Sequence, residues 1–236
     1  MGMASALSDS ASEHRNGGHT VVDYSFPTDW ALNESVDPLE DIVTKLLIEL
    51  GVDPSGRHFE QTPARMARFY REFTRGYDAK PEQILKTFAS SKQDLIAVTD
   101  IEFQALCPHH LLVYSGRAHV AYVPDGKVVG ISKIPRLVQT LAARLVIQED
   151  LAADIADALM AVVQPKGCAV KISGRHDCVA TRGVKDASSR MTVVAFRGLF
   201  ETDPLLVVEF HQMTADCLRT CQSEHSEPAE MCSTER

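Results

Sequence analysis

The period of the apolar positions changes near residue 95. Before it, apolar residues recur at helical spacing in LEDIVTKLLIEL, residues 39–50, which Gly51 stops. They do so again in TPARMARFYREFTRGY, residues 62–77, with Thr62 as N-cap and Pro63 in the first turn. After it come runs rich in Val, Ile and aromatics. IAVTDIEFQAL (96–106), VYSGRAHVAYVP (113–124) and VVGIS (128–132) predict strands, with turns at Ser115-Gly116 and Pro124-Asp125-Gly126. The helical period returns in KIPRLVQTLAARLV (133–146) and LAADIADALMAVV (151–163), and Pro165-Lys166-Gly167 ends the second. CAVKISG and SRMTVVAFRGLF predict two further strands, with a short helix after Pro204. Strand pairs flanking a helix pair predict an α+β domain built on an antiparallel sheet.

The tails lack this patterning. Residues 1–37 carry six acids against one base and residues 214–236 five against two, while 38–213 is balanced, so the net charge of −8 comes from the ends. The chain therefore divides into a disordered acidic N-terminal tail (1–37), an N-terminal helical region (38–94), a sheet-and-helix domain (95–213) and a flexible C-terminal tail (214–236). With 236 residues and 44% hydrophobic content the chain can bury one sizeable core or two small ones. No basic patch with interleaved aromatics appears, which argues against a nucleic-acid partner. No run of apolar residues reaches membrane-spanning length, and no basic n-region precedes an apolar stretch. Ala6 at the position myristoylation reserves for Ser or Thr argues against that anchor. Six cysteines in such a chain read as cytoplasmic thiols and metal ligands rather than a disulfide framework.

Two fragments concentrate metal chemistry: Cys107-Pro108-His109-His110 and Arg175-His176-Asp177-Cys178. Thiolates with imidazoles suit Zn²⁺ best among common metals. A catalytic zinc takes three protein ligands and keeps one position for water. Cys107 and His110 have the spacing to reach one ion, and Cys178 completes the expected set. If the strand over 169–173 runs on, His176 and Cys178 share one face and Asp177 takes the other. His109 and His176 are then free to move protons near neutral pH. A closed Cys₂His₂ staple stands as the alternative, since such sites are common.

Polar residues also gather where strands meet helices. Ser132 and Lys133 begin a helix, Arg136 lies one turn on, and Arg182-Gly183-Val184-Lys185 follows the second metal fragment. Singly each reads as surface; together, beside a metal, they form a clamp for a polyphosphate. Arg65 and Arg68 share a helix face, more often a solvated one. Glu149, next to Gln148, could accept a forked pair of hydrogen bonds from an N–H/NH₂ edge such as guanine's, although composition alone favours a first-turn helix carboxylate. Cys217, Cys221 and His225 have metal-ligand spacing, but in a Ser- and Glu-rich tail they read as free side chains.

Taken in order and spacing, CPHHLLVYSGRAHVAYVP, VVGISKIPRLVQ, IQED, GRHDC and TRGVKDASS resemble the GTP cyclohydrolase I family, from about Pro38 to Met213. The resemblance implies the tunnelling fold (T-fold): an antiparallel sheet with helices on one face, closing with other subunits into an oligomeric barrel. It implies a homodecamer of two stacked pentamers, with active sites between subunits and 95–213 as the catalytic domain. It implies Zn²⁺ on Cys107, His110 and Cys178, catalytic roles for His109, His176 and Ser132, and guanine recognition by Glu149 with Gln148. Arg65, Arg68, Lys133, Arg136 and Arg182 match its phosphate and ribose contacts. The implied substrate is GTP. Water activated on zinc attacks C8, formate leaves, and the ribose rearranges to give 7,8-dihydroneopterin triphosphate, the first step of a pterin or tetrahydrofolate pathway.

The chain departs from the family pattern in places. Pro108 stands where Glu is usual, Asp150 and Ala152 where a basic residue and Thr are usual, and Ala180 where Lys is common. These departures bear on substrate affinity and the later steps. Three other readings stay open: a cyclohydrolase that stops at a formylated ring-opened product, the related nitrile reductase of queuosine synthesis, and a zinc-stapled interaction protein. The second needs a nucleophilic cysteine without zinc, which the intact metal fragments disfavour.

Overall fold

The computed structural model describes residues 14–16, 19–21 and 37–215. The expectations for the rest of the two tails, including Cys217, Cys221 and His225, lie outside the described residues. Near the N-terminus β1 (His14–Asn16) pairs antiparallel with β2 (His19–Val21).

Helix α1 (Pro38–Glu49) starts on Asp37, whose carboxylate accepts the Leu39 N–H at 3.0 Å. Arg71 of α2 (Thr62–Thr74) donates to both oxygens of the same carboxylate, at 3.0 and 2.9 Å. That guanidinium holds the Asp37 carboxyl below the usual range and ties the two helices together. Gln61 rather than Thr62 holds the N-cap position of α2, with no side-chain cap bond. The outer face of α1 leaves Ile42, Leu46, Ile48 and Leu50 exposed.

Next come α3 (Pro81–Ile84) and β3 (Thr87–Ala89), then β4 (Ile96–Leu106), β5 (Val113–Val123) and the short β6 (Lys127–Val129). Helices α4 (Lys133–Ala142) and α5 (Gln148–Val162) precede β7 (Gly167–His176), α6 (Asp177–Ala180), β8 (Met191–Gly198), α7 (Leu199–Thr202) and α8 (Pro204–Met213). The main sheet is antiparallel in the order β4-β5-β7-β8, while β6 leaves it to pair with β3. The architecture is α+β, as the change of period predicts.

Alternation along β5 sends Ala118, Val120 and Tyr122 to one face, where α4 and α5 bury them with Leu137, Leu151 and Ile155. The helices do not keep to that face. Ala121, Val123 and Ala169 point the other way and pack with Phe200 and Phe210 from α7 and α8. This corrects the expectation of helices on one face. The cause is Gly198, whose φ of 62° turns the chain straight from β8 into α7. The segment Leu199–Met213 therefore doubles back across the sheet instead of leaving it.

Helix boundaries also move. α4 ends at Ala142, short of Val146, and Arg144 Nε donates to the Leu141 carbonyl there at 2.8 Å. α5 begins at Gln148, ahead of Leu151, which puts Gln148 and Glu149 in its first turn. No helix among the described residues is long and apolar enough to cross a membrane.

The turn expected at Ser115-Gly116 is absent; both residues lie inside β5, paired with Gln104 and Phe103 on one side and Arg175 and Gly174 on the other. Glycine is needed here for closeness rather than for turning, because a Cβ on Gly116 would lie 1.9 Å from the Ser173 carbonyl oxygen. Gly116→Ala should cost about 1–3 kcal/mol, the scale of overpacking. Thermal unfolding should show a midpoint several degrees lower; an unchanged midpoint would mean that β5 and β7 part without cost.

Candidate metal centre and substrate site

Strand β4 delivers Cys107, and a tight turn brings the histidines back beneath it. The Leu111 N–H donates to the Cys107 carbonyl and the Cys107 N–H to the Leu112 carbonyl, both at 2.9 Å. Leu111 adopts φ 54°, a left-handed conformation that costs a branched residue energy and that the two bonds hold in place. The turn sets His110 Nδ1 3.9 Å and His109 Nδ1 3.7 Å from Cys107 Sγ. From the other side β5 pairs Tyr114 with His176, the last residue of β7. The chain then turns into α6, so Cys178 sits on a helical turn. Strand alternation therefore does not relate His176 to Cys178, contrary to the expectation of a continued strand.

The result is a three-donor group: ligand atoms of Cys107, His110 and Cys178 lie within 4.8 Å of one another. Cys107 is buried, Cys178 half-buried and His110 exposed, so the group opens to solvent on the imidazole side. Neither His109 nor His176 belongs to it, so the fourth protein donor of a closed Cys₂His₂ staple is not in the group. Two thiols and one imidazole are a donor set that fits Zn²⁺. Burial, then the neighbouring Cys107 sulfur, pushes the Cys178 thiol up. A divalent cation reverses that balance, because the thiolate is the form it binds.

His176 stands beside the group but is held by other partners. Its ring stacks on Tyr114 with centroids 4.6 Å apart and planes 2° from parallel. The Tyr114 hydroxyl donates to the Val146 carbonyl at 2.9 Å, fixing that platform. His176 Nε2 lies 3.0 Å from Gln148 Oε1. Burial lowers the His176 pKa, and the Glu149 carboxylate partly opposes it. Glu149 also acts on Tyr114, so its charge reaches this corner of the site although the residue itself is exposed. Arg182 is near enough to Cys178 to favour its thiolate. Gln148, expected to face substrate, is only 1% exposed, and its amide is spent on His176 and two backbone carbonyls.

The remaining expected residues stand apart. Ser132 is exposed at the start of α4 and makes no cap bond, and Lys133 opens that helix. Arg136 lines a separate cleft of about 300 Å³ with Arg75, Asp78 and Lys80. Arg65 donates to Gln61 Oε1 at 3.0 Å, and Arg68 is exposed on the same helix. Among the described residues no hydrogen bond or ion pair joins these five to the Cys–His–Cys group. Tyr114, the platform under His176, is the residue of this corner that sequence reasoning missed. Only the strand register, which sets it opposite His176, distinguishes it from any other aromatic of a strand.

A family model for GTP cyclohydrolase I matches residues 39–215. The chain belongs to the GTP cyclohydrolase I family. The GTP cyclohydrolase 1 of Campylobacter jejuni is 48% identical over 163 residues, covering 68% of this chain and 86% of that one. The GTP cyclohydrolase 1 of Chlorobium chlorochromatii is 42% identical over 176 residues, covering 74% and 79%. Among solved structures, the archaeosine synthase QueF-Like in its apo form is 24% identical with a TM-score of 0.37, covering 44% of this chain and 93% of that one. The matched segment contains all the described residues discussed above from Leu39 onward, the three-donor group included.

Cys178→Ser should weaken binding of a divalent metal at least about tenfold, since a hydroxyl is a far poorer ligand than a thiolate. Zinc titration of the apo-protein checks this, with circular dichroism to show that the sheet survives. Undiminished zinc affinity would remove Cys178 from the ligand set.

Proposed function

We propose that the chain is a zinc-dependent GTP cyclohydrolase I. It consumes GTP and one net water and yields 7,8-dihydroneopterin triphosphate and formate, the first step of a pterin or tetrahydrofolate-type pathway. Family membership supports this reading, and the observation that carries it is the three-donor group with His176 and Glu149 beside it.

Cys107, His110 and Cys178 would hold the zinc ion, which supplies Lewis acidity and an acidified water at neutral pH. The chain's own residues do the rest. Glu149, in the first turn of α5, accepts the forked N–H/NH₂ edge of guanine. His176 gives a proton to a purine-ring nitrogen as the five-membered ring opens to a formamide. A second water releases formate. The ribose then opens, rearranges in Amadori fashion and closes on the freed amine with loss of water, which returns the balance to one water consumed. His109, 3.7 Å from Cys107 Sγ, and Ser132 handle protons in this ribose stage. Arg65, Arg68, Lys133, Arg136 and Arg182 bind the triphosphate and ribose. Five exposed or half-exposed cations suit a polyanion that keeps part of its hydration.

The working unit is a T-fold homodecamer of two stacked pentamers, located in the cytoplasm, where reduced cysteines persist. The four-stranded sheet supports closure, because its outer strands β4 and β8 pair with no further strand among the described residues. Neighbouring subunits would supply the phosphate ligands that no contact within one chain brings to the metal group.

Incubating zinc-loaded protein with GTP and analysing product mass and formate tests the proposal. Absence of turnover, or a formylated ring-opened product without formate, would overturn it. Glu149→Gln should bind zinc normally yet lose at least about 100-fold in kcat/KM, since an amide cannot accept both bonds and leaves a donor unpaired. Near-normal GTP turnover would refute the guanine contact. His176→Ala should keep zinc and GTP binding while kcat falls about 10²-fold or more, the scale of a lost proton donor. Zinc loss in that variant would make His176 a ligand instead, and normal turnover would remove it from the mechanism.

A further inference from the structure

Gln148 makes three polar contacts and is almost wholly buried, with 1% of its surface exposed. Its Nε2 lies 3.1 Å from the Ile172 carbonyl and 2.9 Å from the Met191 carbonyl. A backbone carbonyl can only accept a hydrogen bond, so two carbonyls at one end of the amide identify that end as NH₂. The other end, Oε1, is then the atom 3.0 Å from His176 Nε2, and it can only accept. His176 Nε2 must therefore carry a proton.

The surroundings leave little room for any other arrangement. The opposite tautomer of the neutral ring would set the Nε2 lone pair against the Oε1 lone pairs. Turning the ring over would keep its plane on Tyr114, whose own hydroxyl is tied to Val146, but would set a ring carbon in place of Nε2 opposite Oε1 and lose the hydrogen bond. Even the absence of a side chain at Gly174 belongs to this device, because a Cβ there would lie 2.6 Å from Gln148 Oε1. α5 brings the amide, β7 brings the ring and one carbonyl, and the start of β8 brings the other carbonyl.

We propose that Gln148 is a positioning residue, not a substrate contact. It fixes His176 as the Nε2–H tautomer and leaves Nδ1 as the ring nitrogen that exchanges protons with substrate. The logic is that of an orienting group behind a catalytic histidine. The tautomer stands on geometry alone, whereas the proton exchange rests on the cyclohydrolase reading.

The test uses the zinc-loaded full-length protein, labelled with ¹⁵N-histidine and studied by solid-state NMR at alkaline pH, where the imidazole is neutral. His176→Gln assigns the resonances. Wild type should show His176 protonated at Nε2 alone. Gln148→Met, similar in length but unable to donate or accept here, should show both tautomers, with kcat for GTP about 10- to 100-fold lower, KM changed less than about threefold and zinc content unchanged. Gly174→Ala keeps the glutamine but displaces its oxygen and should shift the tautomer the same way, so the assignment stays testable if Gln148→Met does not fold. A single Nε2–H species in both variants would overturn the proposal. So would a KM raised tenfold at unchanged kcat, the mark of a lost substrate contact. If wild type shows the Nε2–H species without turning over GTP, the functional reading fails and the positioning role stands.

Discussion

The pairing of β5 with β7 is the constraint on which the rest of the site depends. Cys107 and Cys178 lie far apart in sequence, and nothing local brings them together. The register that sets Tyr114 opposite His176 does so, because β4 ends on one side of that pair and α6 begins on the other. A slip of one residue would send His176 to the opposite face and carry Cys178 away from Cys107. The register is well guarded. Gly116 admits the Ser173 carbonyl where any side chain would collide, and alternating Ala118, Val120 and Tyr122 must all meet α4 and α5. The metal group thus draws its geometry from a buried sheet rather than from the two short fragments that carry its ligands.

The helices add the second constraint, which concerns charge and proton placement rather than folding. α5 starts next to the end of β7, so its first turn presents Gln148 inward and Glu149 outward. Adjacent residues of one helical turn thereby face different partners, a half-buried imidazole and solvent. His176 feels both burial, which disfavours its charged form, and Glu149, which favours it. A proton-transfer group gains from such opposed influences, because neither protonation state is strongly disfavoured.

Much of this was legible in the sequence, and the losses have physical causes. The change from helical to strand period gave the α+β class, and the spacing of Cys107 and His110 with the remote Cys178 singled out the residues that the structure brings together. Boundaries were less legible. Arg144 ends α4 through a side-chain bond to a carbonyl, and Gly116 looked like turn chemistry although it marks a close approach of two strands. The relation of His176 to Cys178 was misread because strand alternation was extended one step into a helix. Tyr114 and the inward role of Gln148 could not be read at all. Both depend on contacts across strands, and sequence spacing carries no such information.

The cations remain the test of how far one chain explains the site. Arg65, Arg68, Lys133 and Arg136 match a polyphosphate by kind, yet among the described residues no hydrogen bond or ion pair draws them to the metal group within one chain. Mutual repulsion gives like charges no reason to converge without an anion, and a balanced 38–213 segment has no surplus field to hold one at a distance. Convergence must then come from geometry imposed by other contacts. The sheet offers such contacts at β4 and β8, which pair with no further strand among the described residues, and α1 offers its exposed apolar face. In the proposed barrel the pairing that closes the sheet would also bring one subunit's cations to another's metal group. Catalytic competence would then depend on subunit concentration.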